Sequence, residues 1–410
     1  MKELLESYWQ EMLDPKDPLV QWRQKGWDCF GRIGLPKAKQ EAFQYLPLQK
    51  LAFPKLASKK TVSLQEIEPH LLPECRSSRI VFVDGYLDEA LSSVPSPLVC
   101  LPLDSAMRSY GLFLQNRISS ALKGEKDPFA ALNIAFQGRG AFLYAPPNAG
   151  LENPLQILHF FTGIESCSPR IQTYLGKNAK LEIVQTTFHR AQTFCNAACD
   201  IALDENAQLF WSDLSELPAA AQHFQSVRAT LKRNSRLKTL MLTRGSVMAR
   251  ASFQVQLAEE NAEALLLGLS RLRGENQAHV HALVEHQAPF TRSRQHFKGI
   301  LRDKSRSSFE GKIYVRPEAL KTEAYQLNNN LVLSDEAQAN AKPNLEIFAD
   351  DVKASHGATL SQLDEEELFY LQSRGLPLLQ AKRWLVAGFS REILDQIAIP
   401  SLRDKYFREE

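Results

Sequence analysis

Apolar residues change their spacing twice along the chain. At the start, Leu4, Leu5, Tyr8, Trp9, Met12 and Leu13 recur three or four residues apart, which predicts an amphipathic helix ended by Asp14-Pro15. Asp17-Pro18 then predicts an N-cap with proline in the first helical position. Leu19, Trp22, Gly26 and Phe30 mark one face of that second helix, and Gly31 and Gly34 end it. Near residue 79 the spacing drops to two, with Val81 and Val83 alternating ahead of the turn Asp84-Gly85. One helical stretch, 127–136, interrupts the strands. From about residue 155, short alternating runs follow one another, among them Leu155 to Phe161, Ala179 to Val184 and Leu237 to Leu242. Helical spacing returns at the C-terminus. Asp364 is a good N-cap, Glu365, Glu366 and Glu367 complement the helix dipole, Gly375 ends the helix, and Pro377 opens the next. Leu378, Ala381, Leu385, Phe389 and Ile393 line one face of that last helix.

A longer period runs through the middle of the chain. Asn178-Ala-Lys-Leu181, Asn206-Ala-Gln-Leu209, Asn234-Ser-Arg-Leu237 and Asn261-Ala-Glu-Ala264 begin 28, 28 and 27 residues apart. A polar turn leading into a strand at a fixed period predicts a solenoid whose coils stack. Asparagine tolerates the left-handed backbone that tight corners need. The predicted fold is mainly β, a β-helix core at 79–360 with a short helical insertion near 127–136. Helical regions at 1–78 and 361–410 flank it.

Composition narrows the function classes. Of 410 residues, 44% are hydrophobic and 23% charged, enough to bury a core and exclude global disorder. Lys plus Arg (49) nearly balances Asp plus Glu (47), which argues against a chain built to coat nucleic acid. The most apolar run, Ala262 to Leu269, is far short of a membrane span and holds a Glu. The charged N-terminus lacks the apolar stretch of a signal peptide, so a cytoplasmic protein is expected. The six cysteines are scattered and read as buried thiols. Cys195 and Cys199 form C-x3-C without a second pair to complete a zinc site.

Candidate chemistry is sparse. His279, His281, His286 and His296 cluster, and the His279-Val-His281 spacing puts two rings on one strand face as a metal pair, with Glu285 nearby and no third ligand. Asp350, Asp351, Lys353, Ser355 and His356 fall within seven residues, but adjacent strand residues face opposite ways, so Ser355 and His356 do not form a nucleophile–base pair. The G-x-S-x-G elbow and the phosphate-cradling lysine loop are both missing, so ATP hydrolysis by this chain is not expected. Composition and spacing name no reaction.

Motifs carry the reading further. Phe309-Glu-Gly-Lys-Ile-Tyr-Val315, Leu320 to Asn328, Asn330 to Asp335, Lys342 to Ile347, Ala349-Asp-Asp-Val-Lys353, Ser355-His-Gly-Ala-Thr359 and Leu368-Phe-Tyr-Leu371 closely resemble the core of the SufB/SufD family. His281-Ala-Leu-Val-Glu-His286, and Gly34 to Glu41 with Tyr45 to Leu48, also look like that family. The resemblance implies a scaffold subunit of the SUF iron–sulfur cluster assembly machine, built on a right-handed parallel β-helix. It implies no enzyme activity of its own, a SufB-like paralogue as heterodimer partner and a SufC ATPase carried on the C-terminal region. It also implies homodimers in isolation, no cofactor held tightly by the isolated chain, and a transient iron–sulfur cluster formed with SufB.

The SufD branch of the family is favoured, because no cysteine occurs after Cys199 and the His-Gly-Ala-Thr form of the motif is SufD-like. His356 then matches the family's functional histidine at the partner interface, a candidate iron ligand. His281, His286, Asp350 and Asp351 are secondary candidates. Leu368, Phe369, Tyr370, Arg374 and Leu385 are the expected SufC-binding residues, and removal of everything after Leu363 is expected to leave the β-helix folded. Ala354 stands where many SufD sequences have Cys, which removes a thiolate ligand there, and Phe43 replaces a common Trp. The alternative is a β-helix enzyme acting on a polysaccharide or other small substrate in a surface groove.

Overall fold

The asparagine period marks one corner of a coil. In the computed structural model, which describes residues 1–37 and 40–408, Asn148, Asn178, Asn206, Asn234 and Asn261 are all left-handed, with φ between 57° and 62°. The carboxamides of the first four stack from coil to coil. Asn178 Nδ2 donates to Asn148 Oδ1 at 2.9 Å, Asn206 to Asn178 at 2.9 Å, and Asn234 to Asn206 at 3.0 Å. Asparagine supplies both the tolerated backbone and the partner for its neighbour. The same corner continues at Phe290 and Lys321, with φ of 61° and 57°, where no asparagine announces it.

The chain opens with α1 (Lys2–Met12), α2 (Val20–Ile33) and the short α3 (Leu64–Ile67). Asp17 Oδ1 accepts the Leu19 N–H at 2.9 Å, but α2 begins at Val20, so Pro18 precedes its first turn. Ala38 and Lys39, within the Gly34 to Glu41 motif, lie outside the described residues. Next come β1 (Arg79–Val83), β2 (Tyr86–Ser93), β3 (Val99–Pro102), α4 (Leu103–Lys123), α5 (Pro128–Phe136), β4 (Ala141–Ala145), β5 (Leu155–Phe161), β6 (Ser166–Cys167) and β7 (Arg170–Leu175). The strands then lengthen to ten or eleven residues: β8 (Lys180–His189), β9 (Phe194–Leu203), β10 (Gln208–Leu217), β11 (Gln222–Leu231), β12 (Arg236–Gly245), β13 (Met248–Leu257) and β14 (Glu263–Leu272). The series ends with β15 (Gln277–His286), β16 (Arg292–Leu301), β17 (Arg306–Val315), β18 (Thr322–Val332), β19 (Gln338–Ile347) and β20 (Val352–Ser361). Three helices follow, α6 (Glu365–Ser373), α7 (Leu378–Leu394) and α8 (Pro400–Arg408).

The strands alternate between two sheets. One runs β2-β1-β5-β8-β10-β12-β14-β16-β18-β20 and the other β19-β17-β15-β13-β11-β9-β7-β4-β3. Pairing from β8 onward is parallel and in register, as β10 with β12 and β18 with β20 illustrate. Each pair of strands therefore climbs one coil, and the β-solenoid makes about eight turns. Alternate residues point inward, and Ile183, Leu209, Leu237, Val255 and Val284 stack in one continuous core.

Helices cover both outer faces. Trp22 and Phe30 of α2, Leu114 and Ile118 of α4, and Phe129 and Ile134 of α5 form one apolar layer with Phe194 and Phe224 of the odd-numbered sheet. The helix α4 was not legible in the hydrophobic pattern: four serines and Gly111 dilute it, and it kinks at Tyr110, although Leu103, Ala106, Leu114, Ile118 and Leu122 do carry its buried stripe. On the even-numbered sheet, Ile393, Leu394, Ile397, Leu402 and Tyr406 of the C-terminal helices pack on Leu214, Leu240, Leu242, Leu267 and Leu269.

A second corner is equally strict. Gly245 has φ of 78°, and a Cβ there would stand 1.9 Å from the Leu217 carbonyl oxygen of the coil below. Gly245→Ala should cost at least about 3 kcal/mol in urea denaturation, from strain and backbone collision together. A loss under about 1 kcal/mol would mean that the corner yields freely.

Candidate functional site at the open end of the solenoid

Among the described residues, both sheets stop without a cover at this end. β19 and β20 are the terminal strands of their sheets, so each has one edge with no strand beyond it. The last coil is built from small residues. Val352 and Ala354 pack inward near Ile313 and Ala324, while Phe348 and Leu360 are 56% and 64% exposed. Solenoid ends are normally closed by a polar or helical cap, and this one presents backbone groups and apolar side chains to whatever approaches.

His356 lies in the middle of β20 and is exposed. Gly357 and Ala358 continue the strand after it, so no turn follows His356. Its register partner is Gln326 of β18. Alternate residues of β18, Thr322, Ala324, Gln326, Asn328 and Asn330, are buried, as is Leu331 near its end, while Tyr325 is out in solvent, so the row that ends on His356 is the interior row. His356 is exposed only because no further coil covers it. Ser355 falls on the opposite face, as strand alternation requires. Asp350 and Asp351 are exposed at the corner that leads into β20, where the Asp351 carbonyl accepts the Lys321 N–H.

The other histidines do not converge on this end. His286 is buried in the interior, and both ring nitrogens are engaged at 2.8 Å, Nδ1 with Thr291 Oγ1 and Nε2 with Ser293 Oγ. His281 and His279 share the outer face of β15, where His279 is held by Ser308 at 2.8 Å. The His281 Nδ1 is buried without a partner among the described residues. Burial pushes His281 down to about 4, helped by the nearby Arg250 charge, and His286 down to about 3. His296 faces α7, with Nδ1 3.4 Å from Glu392. Among the described residues, no three His, Cys, Asp or Glu side chains are arranged to hold a metal ion.

The cysteines are free thiols. Cys195 and Cys199 sit in β9, buried like all the others but the half-buried Cys100, and desolvation raises both well above the usual thiol range.

A second surface lies on the C-terminal helices. The α6 N-cap forms as expected, with Asp364 Oδ1 accepting from the Glu366 and Glu367 N–H groups. Phe369 and Tyr370 are 74% and 55% exposed, Arg374 stacks 5.2 Å from the Tyr370 ring, and Leu368 and Leu385 are half-buried. Two apolar residues that the sequence did not single out, Leu379 and Trp384, are 65% and 56% exposed. They line a groove of about 750 Å³ with Arg383, Gly388, Arg391 and Phe407. That is an unusual concentration of exposed apolar and aromatic surface for one helical pair. No helix among the described residues is long and apolar enough to cross a membrane.

The described residues thus form a parallel β-solenoid with an uncovered end, a histidine on its last coil and an exposed apolar face on its C-terminal helices. The chain belongs to the SufBD family and is SufD-like: it matches the SUF system FeS cluster assembly SufBD core domain over residues 161–389 and the SufBD protein N-terminal region over 9–157. It is 31% identical over 407 residues to an iron-sulfur cluster assembly SufBD family protein of Synechocystis, covering 94% of this chain and 89% of the relative. It is 28% identical over 396 residues to the iron-sulfur cluster assembly protein SufD of Escherichia coli, covering 92% and 88% of the two chains. The chloroplastic protein ABCI7 of Arabidopsis thaliana is 26% identical over 410 residues, covering 95% and 84%. A role in iron–sulfur cluster assembly follows from this membership.

Proposed function

We propose that this chain is a non-catalytic scaffold subunit that meets a SufB-like paralogue at its open solenoid end and carries a SufC-like ATPase on α6 and α7. The observation that carries the reading is the uncovered pair of edges at β19 and β20 with His356 exposed between them. Strand edges are ready-made templates for another chain, and a second solenoid would continue both sheets at once. His356 would supply one imidazole ligand to iron of the nascent cluster, which is the cargo of the complex. Imidazole suits iron, and the remaining ligands would come from the partner. Asp350 and Asp351, exposed at the same rim, would add negative charge near the site and nothing more. His281 and His286 stand apart from the end and take no part in this reading.

The apolar face of α6 and α7 would seat the ATPase. Phe369→Ser with Trp384→Ser should leave the chain folded and reduce capture of co-expressed SufC at least about 100-fold, since exposed aromatic anchors carry most of such an interface. Capture of the SufB-like partner should be unchanged. Undiminished SufC capture would move the dock elsewhere.

A further inference from the structure

The interior row that ends on His356 contains an unresolved hydrogen-bond account. Gln295 of β16, Gln326 of β18 and His356 of β20 are successive register neighbours. In a parallel ladder such neighbours point to the same face, with strands about 4.8 Å apart. Gln326 is 3% exposed, yet neither its Oε1 nor its Nε2 has a partner among the described residues. Gln295 is fully buried, and its Oε1 is unpartnered as well. The next row contrasts with this. Asn328 Nδ2 donates to the Phe297 carbonyl at 3.0 Å, and its Oδ1 accepts from Asn330 Nδ2 at 2.7 Å. Buried carboxamides are rarely left unmet in this way, and each orphan group calls for a partner.

We propose that Gln326 is a positioning residue for His356. One arrangement of the row satisfies every orphan atom. Gln326 Nε2 donates to Gln295 Oε1, and Gln326 Oε1 accepts an N–H from the His356 ring. That bond fixes the imidazole in one tautomer and leaves the lone pair of the other nitrogen free at the open end. A metal-binding histidine needs this kind of partner on its second nitrogen, and a carboxamide provides it without adding charge. The assignment rests on the reading of His356 as an iron ligand for its purpose, but its geometry can be tested without iron.

The test uses the full chain with ¹⁵N-labelled histidine at pH 8, and His356 is assigned by the signal lost in His356→Ala. The wild-type ring should sit predominantly in one tautomer. Gln326→Met, similar in length and without a hydrogen-bond acceptor of comparable strength, should shift the tautomer ratio by about fivefold, the size of one ordinary net hydrogen bond. Gln326→Asn, one methylene too short to reach, should shift it the same way, so a folding failure of either variant leaves the other to decide. Gln326→Glu keeps an acceptor oxygen and should restore the wild-type ratio. An unchanged ratio in folded Gln326→Met or Gln326→Asn would overturn the assignment. Normal cluster loading by a His356→Ala complex would instead remove the proposed role of His356 and leave the tautomer result standing.

Discussion

Lowering the pH from 7.5 to 5 should unfold the protein. Burial disfavours the charged ring most strongly at six histidines. His159, His189, His279 and His286 are pushed down to about 3, and His223 and His281 to about 4, in each case chiefly because burial penalises the charged ring. A base whose folded pKa is depressed binds its proton first in the unfolded chain. Its contribution is therefore intact above about pH 6.5 and is lost as the pH falls toward the folded value. At pH 5 each ring costs about 2 kcal/mol, and six together cost on the order of 10 kcal/mol, comparable to the whole stability of an ordinary domain. Asp213 works the other way. Burial pushes it up to about 6, so the folded state gains as the pH falls from about 6 to 4; Glu125, Glu182 and Glu310 are raised by burial in the same sense, while Glu74, Asp200, Asp204 and Glu392, held below the usual carboxylate range by their partners, lose stability along with the imidazoles. Circular dichroism along a pH titration should show a cooperative loss of β-signal centred between about pH 6 and 4.5. Full native signal at pH 4 would mean that these rings are solvated or paired in a way the burial does not show.

Removing residues 364–410 should destroy the solenoid rather than merely the proposed SufC dock. The sequence gives α6 and α7 the look of an appendage, and the structure corrects this. Helices α7 and α8 cover Leu214, Leu240, Leu242, Leu267, Leu269 and Ile300 on the even-numbered sheet. Each newly exposed Leu or Ile costs about 1.5–3 kcal/mol, so the total is on the order of 10 kcal/mol. Polar ties go with them: Lys298 Nζ lies 2.9 Å from Glu392, and Lys238 Nζ donates to Gln396 at 2.9 Å. The truncated chain is expected to be insoluble, or to melt at least about 10 °C lower by calorimetry. An unchanged melting temperature would show that the helices are a detachable module. The dock is therefore better probed by substitution at Phe369 and Trp384.

The fold was largely legible because its corners are written in one residue type. Asn178, Asn206, Asn234 and Asn261 gave the period, and the left-handed backbone at each gave the reason. The period faded where Phe290 and Lys321 took the same conformation. Neither α8 nor α4 is legible in the pattern, and in α4 four serines and Gly111 dilute the apolar stripe. The site was legible in part. His356 came from a motif, yet nothing in the pattern separated an exposed histidine at an open edge from His286, whose two nitrogens are closed by hydroxyls. That distinction depends on which coil is last. Gln326 could not have been found at all, since its meaning comes only from the register that places it beneath His356. Trp384 was one residue from Leu385, which the helical stripe picked out, and it faces outward where Leu385 turns partly inward.

On the proposed function, the open end bearing His356 is where a cluster is assembled with a SufB-like partner. The most direct measurement is anaerobic reconstitution, with ferrous iron and sulfide, of the co-purified complex of this chain, the SufB-like paralogue and SufC, reading iron per complex and sulfide-to-iron absorbance. His356→Ala should form the complex at normal stoichiometry and load at least about tenfold less cluster, the cost of roughly 1.4 kcal/mol or more in losing one ligand. A His356→Ala complex that loads cluster at the wild-type rate and level would contradict it.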